Sequence, residues 1–389
     1  MFLCVKNADV YSPGHLGKRD ILICNDRIIA IEPQMKALPQ GCRVLDAAGR
    51  RVIPGLIDQH VHITGGGGES GFTSRVPELR FSDSVKAGVT TLVGLLGTDS
   101  RTRNVQNLLA KTKALNEEGI TAYCLTGAYE IPSPTLTGSV GDDIMFLQEV
   151  IGVKVAISDH RSSNLTKEEM IKLASEARIA GLLSKKPGVV HMHTGVGRQG
   201  LKMIIDIVKT TDIPIQHFRP THMRKILEDD VVEFTRLGGY ADYTSSEEPD
   251  PKSQEILDVL ARGVPQDHLT ISSDSNGSMP KWGPNKELIG ITYAKMTSLF
   301  GQIQSLVKKG LPLEQALCFV TQNVAQALEL YPRKGCLAPE SDADLVVLGP
   351  EMEIHMICQK PADLGSFWCS RKNKNFIHAY IPSVLPSYC

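Results

Sequence analysis

Short apolar runs alternate with more polar segments along most of this chain. From Val52 onward the apolar runs are typical of buried strands, and intervening segments such as 105–118, 167–183 and 253–262 have the period of an amphipathic helix. The strand-like runs lie at 52–59, 90–96, 121–126, 151–157, 189–193, 213–218, 240–244 and 269–273. Eight strands that alternate with helices over roughly 250 residues predict a (β/α)8 TIM barrel, which is an α/β fold.

The two chain ends follow a different pattern. Short β-like runs, separated by Pro, Gly and Asn, lie at 2–5, 20–24 and 27–31, and a further run at 344–348 follows a helical stretch at 313–330. We therefore expect a small second domain built from both ends of the chain. The predicted division is 1–52 for the N-terminal part of this domain, 53–335 for the barrel and 336–389 for its C-terminal part.

Composition excludes several classes of protein. The chain has 389 residues and a formal net charge of −1, so it has no overall basic bias toward nucleic acid or anionic membranes. No apolar segment approaches the roughly 20 residues of a membrane span, and polar residues interrupt the start too early for a secretory signal. Nine cysteines without Cys-x-x-Cys spacing argue against a disulfide framework. We expect a cytoplasmic protein without nucleic-acid or membrane partners.

A doubly wound sheet is the competing α/β architecture. No Gly-x-Gly-x-x-Gly motif opens a predicted helix, which argues against the dinucleotide-binding form of that fold. The barrel therefore remains the preferred prediction.

A histidine pair stands at the end of the first predicted barrel strand. His60 and His62 follow the apolar run, and the glycines at 65–68 come directly after them. Side chains two residues apart on an extended strand project from the same face. The pattern predicts two metal ligands where a strand opens into a loop. The alternative is a pair of exposed histidines near a turn.

Further polar residues stand at the ends of the other predicted strands. They are Thr98, Tyr129, Lys154, His193, His222 and Asp274. The carboxyl ends of barrel strands meet at one face, where active sites are built. Because imidazole and carboxylate groups are ligands of Zn²⁺, this set predicts a metal centre.

For two residues of this set, Lys154 and His193, the sequence also allows a role outside the metal centre. A charged Lys154 beside metal cations would be repelled, whereas a neutral amine can take up CO₂ and form an anionic carbamate that bridges two ions. The alternative for Lys154 is a strand lysine whose ammonium reaches solvent. His191 is the alternative to His193, which we prefer because it is nearer the loop. His217 is expected to be an ordinary core or surface histidine.

Longer motifs around these positions resemble the amidohydrolase superfamily and, within it, the isoaspartyl dipeptidase (beta-aspartyl peptidase) family. They lie at 54–62 (Pro-Gly-Leu-Ile-Asp-Gln-His-Val-His), 65–69, 94–99, 125–129, 157–161, 220–222 and 272–278. The resemblance covers roughly residues 1–350. It implies that the small domain is a β-sandwich built from both ends of the chain, and that the protein is a homo-oligomer, an octamer in that family. It implies two Zn²⁺ per chain held by His60, His62, N6-carboxylated Lys154, His193, His222 and Asp274.

The resemblance implies hydrolysis of the isopeptide bond of beta-aspartyl dipeptides. We hypothesise that a zinc-bridged hydroxide attacks the carbonyl, that Tyr129 polarises its oxygen, and that Asp274 carries the proton to the leaving amine. The substrate has an ammonium and two carboxylates, so its pocket needs both signs of charge. Glu69 suits the ammonium, and Arg161 suits a carboxylate through two parallel hydrogen bonds.

Other substrate contacts are expected from loop residues near these two. The candidates are Gly67, Gly68, Thr98, Tyr129, Ser278 and Arg224, with Lys225 as the alternative to Arg224. Each of them could instead be a solvated loop residue. The tail from residue 359 to 389 does not match the usual ending of the family.

Two other functions remain open at this stage. A cyclic amidase, such as a dihydroorotase or hydantoinase, would keep the metals and change the substrate. A non-catalytic scaffold with the amidohydrolase fold would have lost the metal site, and the presence of all six ligand candidates argues against it.

Overall fold

The structure, a computed structural model, describes residues 1–282, 288–359 and 368–369. Its strands are β1 (Phe2–Ser12), β2 (Gly14–Cys24), β3 (Arg27–Glu32), β4 (Arg43–Asp46), β5 (Arg51–Pro54), β6 (Leu56–Val61), β7 (Val89–Gly94), β8 (Thr121–Gly127), β9 (Val150–Ile157), β10 (Val189–Thr194), β11 (Phe218–Thr221), β12 (Ala241–Thr244), β13 (Leu269–Ser272), β14 (Ser278–Trp282), β15 (Leu288–Tyr293), β16 (Leu345–Leu348), β17 (Ile354–Cys358) and β18 (Trp368–Cys369). Its helices are α1 (Phe81–Ala87), α2 (Val105–Glu117), α3 (Val140–Phe146), α4 (Lys167–Ser184), α5 (Lys202–Thr210), α6 (Glu228–Arg236), α7 (Pro249–Ala261), α8 (Ser298–Lys308), α9 (Leu313–Cys318) and α10 (Gln322–Ala327).

Eight parallel strands form the barrel. Strands β6 to β11 make one sheet in chain order, and β12 pairs with β13. Parallel bridges between Met223 and Tyr243 and between Val61 and Ser275 connect these two sheets at both sides. The curled parallel sheet is of the TIM-barrel type, as the alternation of strands and helices predicted.

The barrel core explains why the strands read as continuous apolar runs. Every residue of β7 and β9 is buried, because one face points into the barrel and the other packs against helices. Helix residues such as Leu108 on α2 and Met170 on α4 belong to the same hydrophobic cluster as these strands. The predicted helices at 105–118 and 167–183 match α2 and α4 within two residues.

One predicted strand was misplaced. The run 213–218 was expected to be a strand, but a short 3₁₀ turn occupies Ile215–His217 and β11 begins at Phe218. Pro214 lacks an N–H for a strand ladder, and its carbonyl instead accepts the His217 N–H at 3.0 Å. Ile213 and Ile215 are still buried, so the apolar run reflects core packing and not strand pairing.

Strands from both chain ends share a second sheet. Its order is β18-β17-β16-β5-β1-β2-β3, with β4 beside β1. Residues Leu345 to Val347 of β16 pair antiparallel with Val52 to Pro54 of β5, directly before the first barrel strand. This ladder ties the C-terminal segment to the start of the barrel. Most of the atypical tail, 360–367 and 370–389, lies outside the described residues.

No helix in the described ranges is both long and apolar enough to cross a membrane. Seven cysteines are free thiols: Cys24, Cys42, Cys318 and the buried Cys4, Cys124, Cys336 and Cys358.

The buried His217 makes the stability of the fold depend on pH. It is 4% exposed, and its Nε2 lies 3.0 Å from the Ala174 carbonyl oxygen. Burial lowers the pKa of His217 to about 4, below its usual 6.5. The folded state therefore keeps the ring neutral, whereas the unfolded chain can protonate it. The stability that depends on His217 is complete above about pH 6.5 and is lost as the pH falls toward 4.

Lowering the pH from 7.5 to 5 should reduce the free energy of unfolding. We predict that this reduction is about 2 kcal/mol smaller in His217→Gln than in the unmodified protein. Urea unfolding of the metal-free protein at the two pH values measures this difference. His160→Gln is the control because its side chain is 86% exposed. An equal loss in His217→Gln and in the unmodified protein would contradict the prediction.

Candidate metal centre and active site

A carboxylate and two imidazoles meet at the carboxyl end of the barrel. His60 is on β6, His62 follows it, and Asp274 follows β13. The Asp274 Oδ1 atom lies 3.3 Å from His60 Nε2 and 3.0 Å from His62 Nε2. Asp274 has a φ of +54°, a conformation that non-glycine residues rarely adopt and that often occurs at functional sites.

This group fits a metal ion. One potential ligand atom from each of the three residues lies within 4.8 Å of the others. Asp274 Oδ1 is buried and has no hydrogen-bond partner, so a cation between the three groups would satisfy it. Burial first, and then the proximity of Lys154, keeps the pKa of His60 well below its usual value. A neutral imidazole is the form that binds a metal.

The other three predicted ligands lie beside this group. Lys154 Nζ is 3.4 Å from His60 Nε2. The ring of His222 is 4.9 Å from that of His60 and 4.5 Å from that of His193, between ring centres. The structure therefore brings together residues that lie on five different strands or directly after them.

Lys154 has unusual surroundings for a lysine. Its side chain is completely buried on β9, and burial lowers its pKa to about 7. A substantial fraction of the amine is then neutral near pH 7, in contrast to an exposed lysine. The alternative in which this side chain reaches solvent is contradicted by its position.

His191 lies deeper in the barrel than His193. It pairs with Lys154 across the β9–β10 ladder, whereas His193 pairs with Ala156, two residues nearer the mouth. Its Nε2 atom is 2.8 Å from His60 Nδ1, so it contacts the side of the His60 ring that faces away from Asp274. His191 thus orients a metal-ligand candidate through the nitrogen that faces away from Asp274. The sequence pattern predicted His191 only as an alternative ligand and gave no sign of this supporting contact.

A cavity of about 510 Å³ opens above the cluster. Its described lining includes His62, Gly67, Glu69, Thr98, Tyr129, Arg161, His193, His222, Arg224, Lys252, Asp274 and Ser278. Besides Asp274, the lining has a second carboxylate, Glu69, near the cavity mouth. Glu69 accepts from Thr98 Oγ1 at 3.0 Å and from Ser278 Oγ at 3.2 Å, and Arg161 Nη1 lies 3.5 Å away. The cavity thus combines a carboxylate, guanidinium groups and the metal-binding group.

One predicted contact, Gly68, and one alternative, Lys225, lie outside the described lining of this cavity. Gly68 borders a neighbouring pocket, and its N–H points to the Ser74 carbonyl at 3.3 Å. Lys225 is exposed and is also absent from the described lining, so Arg224 is the one of the two that reaches the cavity.

Gly67 does line the cavity, and its backbone requires glycine. Its φ is +79°, and a Cβ atom would lie 2.3 Å from the Ser74 carbonyl oxygen.

Arg161, Tyr129 and His193 form one polar cluster on the cavity wall. Tyr129 Oη is 2.7 Å from His193 Nδ1, and the Arg161 guanidinium lies 5.5 Å from the centre of the Tyr129 ring. Burial raises the pKa of Tyr129 well above its usual value, so its hydroxyl remains a hydrogen-bond donor. Burial also lowers the pKa of His193 to about 4. Both groups are neutral near pH 7.

Asp159 joins this cluster and was not predicted. It lies within the motif 157–161 but received no role, because nothing in the local pattern shows which side chains it meets. Burial acts to raise its pKa, but hydrogen bonds from Arg161 and His193 outweigh this and hold the pKa below its usual range.

Two buried carboxylates lie beneath the metal-binding group. Asp58 accepts from the Ser273 N–H at 3.1 Å and from the Ser273 hydroxyl, and thereby fixes the strand end that carries Asp274. Asp242 accepts from Thr221, Ser272, Thr270 and Gln59. Burial raises the pKa of Asp58 to about 7. These contacts connect β6, β11, β12 and β13 and hold the histidines in place.

Known proteins share this architecture. A sequence model of the amidohydrolase family matches residues 51–377. This chain belongs to the amidohydrolase family. Membership in that family accounts for a TIM-type barrel whose carboxyl face carries histidines and an aspartate that could bind a metal.

Within the amidohydrolase family, beta-aspartyl dipeptidases are highly similar to this chain. The enzyme from Fervidobacterium islandicum AW-1, solved in complex with beta-Asp-Leu, is 39% identical, covers 97% of this chain and 100% of its own, and has a TM-score of 0.88. Another structure of beta-aspartyl dipeptidase from that organism gives 38% identity over the same coverage and a TM-score of 0.86. The resemblance indicated by the sequence motifs is confirmed.

An L-hydantoinase is a less similar relative. The L-hydantoinase of Paenarthrobacter aurescens is 23% identical over 401 residues, which is 90% of this chain and 86% of the relative.

His62→Ala tests the metal-binding group. We expect the variant to bind zinc about 100-fold more weakly or worse, because removal of a direct ligand costs at least as much as removal of a supporting contact. Competition between metal-free protein and a chromophoric chelator measures the affinity. The control is His15→Ala, which removes an exposed histidine on β2 in the second sheet and should leave the affinity unchanged. Equal zinc affinity in both variants would exclude His62 as a ligand.

Proposed function

We propose that this protein is a metallo-dipeptidase that hydrolyses the isopeptide bond of beta-aspartyl dipeptides. The observation that carries the proposal is the pairing of Glu69 and Arg161 in one cavity next to the metal-binding group. A beta-aspartyl dipeptide has a free ammonium and two carboxylates on either side of the bond to be cleaved. Such a substrate needs both signs of charge close to the reacting centre. The similarity to a dipeptidase solved with beta-Asp-Leu supports the same assignment.

Glu69 is suited to bind the ammonium of the aspartyl residue. In the described structure its carboxylate already accepts from Thr98 and Ser278, and an ammonium has three donors that suit the same oxygens. Arg161 can bind a substrate carboxylate through two parallel hydrogen bonds. Arg224 is suited to the other carboxylate, because contacts of 2.9 Å with the carbonyls of His222 and Thr194 hold its guanidinium in place.

The proposed metal centre consists of two zinc ions held by His60, His62, Lys154, His193, His222 and Asp274. Neutral imidazoles and a carboxylate suit zinc, and the buried, partly neutral Lys154 amine suits conversion to a carbamate. When bound, the zinc ions would supply Lewis-acid activation and a hydroxide nucleophile at neutral pH.

Two side chains would then assist the bond cleavage. Asp274, whose Oδ1 lies 3.0 Å from His62 Nε2, would accept a proton from the nucleophile and deliver it to the leaving amine. Tyr129 would donate its hydroxyl hydrogen to the carbonyl oxygen as negative charge develops there. A single donor of this kind contributes about 3 kcal/mol to catalysis in other enzymes.

A cyclic amidase is the second candidate, favoured by the similarity to L-hydantoinase. Its cyclic substrates lack a free ammonium, so they would leave Glu69 without a substrate partner.

The substrate assignment is tested by direct hydrolysis assays. We expect zinc-loaded protein, prepared with bicarbonate, to cleave beta-Asp-Leu and to leave alpha-Asp-Leu and dihydroorotate intact. Glu69→Gln should lower kcat/KM for beta-Asp-Leu by about tenfold or more, because a charge-assisted hydrogen bond to the ammonium is lost. The matched control is Glu130→Gln, which changes a glutamate that binds Ser100 and Arg101 outside the cavity. Cleavage of dihydroorotate alone would overturn the assignment.

The proposed carbamate has a spectroscopic test. Protein prepared with zinc and ¹³C-bicarbonate should give a carbamate ¹³C signal, and Lys154→Arg should lack it and hold fewer zinc ions per chain. Lys186→Arg is the control, because that half-buried lysine donates to the carbonyls of Ile144 and Leu147 and is remote from the histidines. A signal that persists in Lys154→Arg would refute the carbamate at this position.

A further inference from the structure

Asp159 uses both carboxylate oxygens to contact two different parts of the active site. Its Oδ1 accepts from the Arg161 backbone N–H at 2.8 Å and from Arg161 Nε at 2.9 Å. Its Oδ2 accepts from Arg161 Nη2 at 2.8 Å and lies 2.9 Å from His193 Nε2. One buried side chain thus contacts both the arginine proposed for substrate binding and a candidate metal ligand.

These contacts determine which His193 nitrogen carries the hydrogen. A carboxylate can only accept, so the neutral ring must carry its hydrogen on Nε2. Arg161 Nη2 also lies 3.2 Å from this nitrogen, but its shorter contact is with the Asp159 oxygen. Nδ1 is then the lone-pair nitrogen, and it faces the Tyr129 hydroxyl at the cavity wall.

The loop around Asp159 is fixed independently of these contacts. Ser158 has a φ of +52°, and its carbonyl accepts the Gly197 N–H at 2.7 Å from the loop after β10. A Cβ atom at Gly195 would lie 2.5 Å from the Asp159 Cβ. The Asp159 backbone is therefore packed tightly against the segment that follows His193. A fixed backbone allows one carboxylate to orient two neighbours.

We propose that Asp159 is a positioning residue that orients both His193 for metal binding and Arg161 for substrate carboxylate binding. It touches neither substrate nor metal itself. The metal part of this inference depends only on the metal centre, whereas the part that concerns KM rests on the proposed dipeptidase function. Loss of the Asp159 charge should therefore change both the zinc Kd and the KM for substrate. Loss of a carboxylate with a purely structural role would not change these two quantities together.

Asp159→Asn tests both parts. We expect the zinc Kd, measured by chelator competition on the metal-free protein, to rise about 10- to 100-fold, as for other residues that orient a ligand histidine. At saturating zinc, the KM for beta-Asp-Leu should rise on the order of tenfold, with a smaller change in kcat, because a charge-assisted contact that orients Arg161 is lost.

Two variants separate these effects from general destabilisation. Arg161→Met should raise KM and should change the zinc Kd much less than Asp159→Asn does, because the Asp159 carboxylate remains beside His193. Asp143→Asn should lower thermal stability and change neither property, because Asp143 is a buried carboxylate on α3 with a comparable set of donors from Thr126, Leu136 and Thr137. If Asp159→Asn behaves like Asp143→Asn, the proposal is wrong. If only its zinc Kd rises while unmodified protein cleaves beta-Asp-Leu, the role toward Arg161 is wrong.

A measurement on unmodified protein avoids dependence on the folding of variants. Spectra of ¹⁵N-histidine-labelled, metal-free protein should show His193 with its hydrogen on Nε2, the signal being assigned by its loss in His193→Gln. A hydrogen on Nδ1 would overturn the proposed role toward His193. If this signal and the zinc result agree with expectation but no beta-Asp-Leu is cleaved, the proposed function fails and the positioning of His193 stands.

Discussion

The site depends on one buried carboxylate oxygen that faces two imidazole nitrogens. Asp274 Oδ1 lies close to His60 Nε2 and His62 Nε2 and has no hydrogen-bond partner of its own. Such an arrangement is costly in a protein interior unless a cation or a proton lies between the groups. The fold holds it in place because the first and last barrel strands meet there. The hydrogen bond from the His62 N–H to the Ser275 carbonyl, 2.9 Å long, helps to join them.

Buried polar contacts beneath the mouth keep these ligand candidates in position. Asp58 binds the end of the strand that carries Asp274, and His191 contacts the far side of the His60 ring. Asp242 binds side chains from three other barrel strands, and Asp159 holds His193 at the rim. Asp274, His60 and His193 are therefore each supported by a buried group that is not among the described residues lining the cavity. Support of this kind keeps ligands within the narrow geometry that metal binding requires.

Two ligand candidates deep in the site favour the neutral form, whereas side chains at its mouth are charged. Near the barrel centre, burial favours the neutral forms of Lys154 and His60, and the neutral form is the one that suits a metal ligand. At the mouth, Glu69 and Arg161 are close enough to interact, and hydroxyls from Thr98 and Ser278 contact Glu69. A zwitterionic substrate could replace part of these contacts when it binds. The site thus combines a buried interior, in which the neutral forms of these ligand candidates are favoured, with an entrance lined by charged side chains.

Local patterns along the chain were enough to predict the barrel class, the metal-ligand candidates and the preference for His193 over His191. Strand and helix periodicity is a local property, and parallel strands bring their carboxyl ends to one face whatever the details of packing.

Which of the candidate residues meet depends on packing between distant parts of the chain. In the folded chain Arg224 and not Lys225 is among the described residues that line the cavity, and Gly68 borders a neighbouring pocket. Strand β11 begins only at Phe218, and Asp159 contacts both Arg161 and His193. These outcomes depend on strand register and on loops packed against each other, and residues distant in the chain set both.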